Sequence, residues 1–98
     1  MRDPASLEDM TALRAEIDAT DRELSALMAH RARLIARAAE LKAGNGWPAR
    51  ITDRVDEVIA NARANAERDG WDPALAELVW QELVEWSIRR EQSALGRE

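Results

Sequence analysis

The chain has 98 residues, 34% of them charged, a formal charge of −5 and no cysteine. That length suits one small domain. The acidic balance disfavours phosphate-backbone binding, and the lack of cysteine excludes disulfides and thiolate metal sites. A lone histidine, His30, leaves little basis for a His-based metal centre or a catalytic triad.

Residues 1–5 lack the apolar run of a secretory leader. No stretch nears the roughly 18 apolar residues that a membrane helix needs. A cytoplasmic protein, bound to neither nucleic acid nor membrane and using no metal or cofactor, is the expectation. Ala, Leu, Glu and Arg dominate and favour helix. The expected fold class is all-α: one domain over 1–98, with helices at about 6–43, 52–69 and 73–95.

Ser6 is the expected N-cap of the first helix, with Glu8 and Asp9 in its first turn. No Gly or Pro interrupts the chain from there to Gly44, while Leu13, Ile17, Leu24, Leu27, Met28, Leu34, Ile35, Ala38 and Leu41 recur at helical spacing. A helix of about 37 residues would run roughly 55 Å. That is too long for a 98-residue monomer to cover on all sides, so a partner is expected, either another chain or the rest of its own chain folded along it.

Gly44-Asn45-Gly46 and Pro48 end this helix. Thr52 is the expected cap of the second helix, whose buried side is marked by Ile51, Val55, Val58, Ile59, Ala62 and Ala66. Asp69-Gly70 stops it. Asp72-Pro73 then gives the third helix a cap and a first-turn proline. Its apolar positions are Leu75, Leu78, Val79, Leu83, Val84, Trp86 and Ile88. The last few residues are expected to fray. The four tryptophans are read as core or interface.

Lys42 is the only lysine. It sits in the last helical turn, where any cation suits the helix dipole. Its phase adds a second reading. Arg31 and Lys42 are eleven residues apart, so they lie about 20° apart in phase and roughly 16 Å apart along the axis. Small Ala38 lies between them and leaves a hollow for a small dianion. Arg14 is about 100° off that face and roughly 25 Å away. It can serve the equivalent hollow of an antiparallel partner. On the third helix, Trp80, Val84, Ser87 and Glu91 form a stripe that turns from apolar to polar. Folding can gather Arg31, Lys42, Arg54, Ser87 and Glu91.

The ordered set "LRAEIDATD" (13–21), "LMAHRARLIARAAELK" (27–42), "DRV" (53–55) and "WSIRREQ" (86–92) resembles the all-α chorismate mutases and the related isochorismate pyruvate-lyases. The resemblance covers about residues 7–95. It implies an intertwined homodimer with two equivalent sites, each taking one arginine from the partner. It implies that Arg14 of one chain and Arg31 of the other grip the substrate carboxylates. By the same resemblance Lys42 and Glu91 reach the ether oxygen, Arg54 adds positive charge, and Ser87 meets the ring carboxylate. The implied activity is conversion of chorismate to prephenate in Phe and Tyr biosynthesis, as a stand-alone isomerase without cofactor.

Two positions depart from the family pattern. Val55 stands where a carboxylate commonly receives the ring hydroxyl, and Ile51 stands at another commonly acidic position. Asp53, Thr52 or the backbone is left for the hydroxyl. An isochorismate pyruvate-lyase, or a mutase for a 4-amino analogue, therefore stays open, as does a non-catalytic helical dimer or regulatory module. Glu91 replaces the commoner glutamine. A carboxylate cannot donate a hydrogen bond and a carboxylic acid can, so Glu91 is expected to act protonated. Whether a partner enzyme assists is not readable from the sequence.

Overall fold

The computed structural model describes residues 1–96, which form three α-helices and no strand. The expected fraying at residues 97–98 lies outside them. The helices are α1 (Met10–Asn45), α2 (Thr52–Asp69) and α3 (Pro73–Leu95), preceded by a 3-10 turn at Pro4–Ser6. By backbone contacts the chain divides into two units, Met1–Leu34 and Ile35–Glu98, and α1 runs through both.

In the first unit α1 starts at Met10, later than its expected start near residue 6. Ser6 is not its cap. Its hydroxyl donates to the Asp3 carbonyl at 2.7 Å, inside the 3-10 turn that Pro4 opens. The cap is Asp9, whose Oδ1 accepts from the Ala12 amide at 2.7 Å. The Arg2 amide donates to Glu16 Oε1 at 3.0 Å, which ties the N-terminal segment to α1. Farther along, every residue from Asp21 to His30 is exposed. Apolar residues of the expected stripe are exposed on this stretch: Leu24 is 53% and Leu27 65% exposed.

In the second unit α1 ends at Gly46, whose φ of 78° only glycine adopts readily and whose amide donates to the Lys42 carbonyl. Thr52 does not cap α2. Ile51 occupies the cap position in extended conformation, and its carbonyl accepts the first intrahelical bond from Val55. No side chain caps this end. Ile51 is half-buried, and Asp53 in the first turn complements the dipole instead. At α3, Asp72 Oδ1 accepts from the Ala74 amide at 2.9 Å with Pro73 following, the cap-and-proline pattern the sequence displays.

α2 and α3 pack together as an antiparallel hairpin, with Arg50 opposite Glu85 and Arg63 opposite Glu77. At its turn end the contact is made of small residues. Ala62, Ala66 and Ala76 are buried, with Trp80 packed against them. At the other end Ala49, Val84 and Ile88 are buried, with Val55, Val58, Ile59 and Leu95 around them. No tryptophan is among the buried core residues. Trp47, Trp71 and Trp86 are exposed and Trp80 is half-buried, because alanines hold the closest helix contact. Trp71 and Trp80 rest against each other with ring centroids 6.4 Å apart.

Candidate active site

The polar centre of the second unit is built on α3. Ser87 and Glu91 are four residues apart, which puts them on one helix face. Each is only 4% exposed, and they are the two buried polar residues among those described. Val84 and Ile88 frame them with buried apolar surface. A carboxyl group in such surroundings requires a partner.

Lys42 supplies it from the last turn of α1. Its Nζ lies 2.8 Å from Glu91 Oε1, and it donates to the Ala49 carbonyl at 2.8 Å. Both ions are largely withdrawn from water, with side-chain exposures of 16% and 6%. The approach to Oε1 is ionic rather than along a hydrogen-bond direction, so this buried oxygen retains its capacity to hydrogen-bond. The Ser87 hydroxyl donates to the Leu83 carbonyl of its own helix at 2.8 Å.

The other sequence candidates have different surroundings. Arg54 is exposed in the first turn of α2, where its guanidinium is engaged by Glu57. Asp53 is exposed beside it. Val55 is half-buried against Ala49, Val84 and Ile88, and Ile51 is half-buried at the cap. Arg14 is exposed and Arg31 half-buried, both on the part of α1 that belongs to residues 1–34. His30 is exposed.

Sequence spacing missed two elements. One is the Ala49 carbonyl, a backbone group that no side-chain motif advertises. The other is Arg50, whose fork onto Glu85 links residues thirty-five apart. That fork raises the Arg50 pKa and holds the Glu85 carboxyl below its ordinary value, chiefly through the hydrogen bonds themselves. The described residues contain no group of three His, Cys, Asp or Glu placed to hold a metal. No helix among them is long and apolar enough to cross a membrane.

What remains is a half-buried ammonium held in place by a carboxylate and a carbonyl, with a buried hydroxyl one turn from the carboxylate. Residues 13–92 match the family described as chorismate mutase type II. The chain belongs to the chorismate mutase type II family. It is also 35% identical, over 83 residues, to the T-protein of Enterobacter agglomerans. The match takes in 85% of this chain and 22% of that relative, so the chain spans about a fifth of the relative's length. No solved structure matches it. Within the family framework the three-helix, strand-free architecture is the expected all-α fold, and the Lys42–Glu91 pair lies inside the matched region.

Proposed function

We propose that the chain is a chorismate mutase, which rearranges chorismate to prephenate for Phe and Tyr synthesis. The observation that carries this is the half-buried Lys42 ammonium, fixed by Glu91 and Ala49 within a chain matching the mutase family. The reaction is a concerted [3,3] shift. The ether C–O bond breaks as a C–C bond forms, and no nucleophile, metal or proton transfer is required.

Two tasks fall to the protein. It holds the compact conformer with the enolpyruvyl arm over the ring, which can remove several kcal/mol of barrier. It also stabilises negative charge growing on the ether oxygen, through donors fixed in a dry site. Lys42 has the second task. On substrate binding its ammonium turns part of its contact from Glu91 to the ether oxygen, with the Ala49 carbonyl still holding it. Glu91 takes up a proton in place of its ionic pairing with Lys42 and then donates to the same oxygen. Arg31 and Arg14, the latter from the partner chain of a homodimer, hold the carboxylates. Ser87 exchanges its bond to Leu83 for the ring carboxylate, and Arg54 leaves Glu57 to add positive potential. The protein works in the cytoplasm without a cofactor.

One observation favours a second substrate. Val55 and Ile51 are half-buried apolar side chains where a hydroxyl partner belongs. An isochorismate pyruvate-lyase uses the same cationic hollow without that partner. The deciding experiment offers purified protein each substrate in turn. Prephenate from chorismate supports the mutase, whereas salicylate plus pyruvate from isochorismate replaces it with the lyase. Neither product, at high protein concentration, refutes both and leaves a non-catalytic dimer.

A further inference from the structure

Residues 46–51 link α1 to α2 without regular structure. The position of the Ala49 carbonyl therefore depends on what this segment rests upon. Ala49 itself is 3% exposed and packs on Val84 and Ile88. The next residue, Arg50, makes two parallel bonds to Glu85, Nη1 to Oε1 at 3.0 Å and Nη2 to Oε2 at 2.7 Å. Two consecutive residues of the linker thus meet two consecutive residues of α3, one pair through apolar contact and one through a fork. A bidentate fork fixes orientation as well as distance.

We propose that the Arg50–Glu85 fork is a positioning clamp. It sets the Ala49 carbonyl and thereby aims the Lys42 ammonium, without touching the substrate. The inference rests on the mutase reading of Lys42. Its physical basis is the freedom of a lysine, which has four rotatable bonds and loses side-chain entropy when held. An acceptor already in place lets that loss occur before the substrate arrives, and small errors in placing a catalytic group are costly in rate. Both members are ionised in the pair. The Arg50 hydrogen bonds lower the Glu85 carboxyl, with Arg89 adding a weaker attraction from one turn along α3.

Arg50 could instead serve only as positive potential for an anionic substrate. Two variants separate these roles. Glu85→Gln breaks the fork and makes the surroundings more positive, and Arg50→Lys keeps the charge and loses the fork. The clamp expects kcat to fall about fivefold in each, with KM little changed. The reversed pair, Arg50→Glu with Glu85→Arg, is expected to recover most of the loss. A pure charge role expects kcat/KM to rise in Glu85→Gln and to stay level in Arg50→Lys, and either result overturns the clamp.

A second readout needs no turnover. Because Lys42 is the only lysine, 15Nζ labelling gives a single ammonium signal. Its hydrogen exchange with water is expected to quicken about fivefold in both variants, at unchanged helical circular dichroism. Unchanged exchange overturns the clamp, as does faster exchange with unchanged kcat. If exchange quickens but the wild type converts no chorismate, the mutase reading fails and the clamp on Lys42 survives.

Discussion

Lys42 Nζ sits 2.8 Å from Glu91 Oε1, joining the last turn of α1 to the buried polar face of α3. The same contact is proposed to serve structure and catalysis, and one substitution probes both. Lys42→Ala removes the proposed donor to the ether oxygen, and kcat is expected to fall about a hundred- to a thousandfold. It also strands the Glu91 carboxylate in an apolar setting, which costs on the order of 3 kcal/mol. Helical circular dichroism should persist at room temperature while the urea midpoint drops. Glu91→Gln should lower that midpoint less, because Lys42 keeps the Ala49 carbonyl. Activity surviving Lys42→Ala would overturn the whole site assignment.

A carboxylate at position 91 can only accept, so its donation to the ether oxygen requires a proton. The expected sign follows directly. The active form is the protonated one, so kcat/KM is expected to rise toward low pH. Glu91→Gln donates at every pH, and its profile should be flat over the same range. A wild-type profile that is level from about pH 5 to about pH 8 contradicts the protonated-acid role.

The proposed sharing of Arg14 between chains has an arithmetic consequence. In a symmetric dimer each site combines Arg14 of one chain with Lys42 of the other. Arg14→Ala and Lys42→Ala are each expected to be inactive alone. Unfolded together in equal amounts and refolded, half of the dimers are mixed, and each mixed dimer holds one unaltered site. The mixture should regain about a quarter of wild-type specific activity. Zero recovery places both residues in one chain's site.

Exposure along α1 leads to an independent test of the dimer. Leu27 at 65% and Leu34 at 55% leave apolar surface that another chain is proposed to cover. The melting temperature of the wild type should rise with protein concentration, since association stabilises by mass action. Leu27→Asp should abolish that dependence and yield a monomer in sedimentation. A concentration-independent melt in the wild type contradicts the proposed pairing.

The all-helical fold was legible because helices announce themselves locally. Gly70 in left-handed conformation and the Asp72-Pro73 pair act through nearest neighbours, so a short window contains the whole cause. The stripe Val84, Ser87, Glu91 was legible for the same reason, as period alone puts the three on one buried face. The caps of α1 and α2 were not. Ser6 lost to Asp9 because its hydroxyl is bonded inside a separate turn that Pro4 opens, and Ile51 takes the cap position of α2 in place of Thr52 with no side-chain bond to mark it. Ala49 and Arg50 were invisible in principle. The role of Arg50 depends on Glu85, thirty-five positions away on α3, and that of Ala49 on a backbone atom common to every residue type.

The alanine contact between α2 and α3 allows stability to be altered apart from chemistry. Ala66 and Ala76 are fully buried where the two helices approach near their turn. Ala66→Leu inserts three carbons where close packing leaves no room, a change that typically costs about 1 to 3 kcal/mol. For a chain of this size the melting temperature should fall by roughly 4 to 8 °C for each kcal/mol. Lys42, Ala49 and Glu91 belong to the opposite end of the hairpin, around Val84 and Ile88. At a temperature where the variant stays folded, kcat should therefore remain within about twofold of wild type. A large fall in kcat without a fall in melting temperature would mean that the turn end of the hairpin takes part in the reaction.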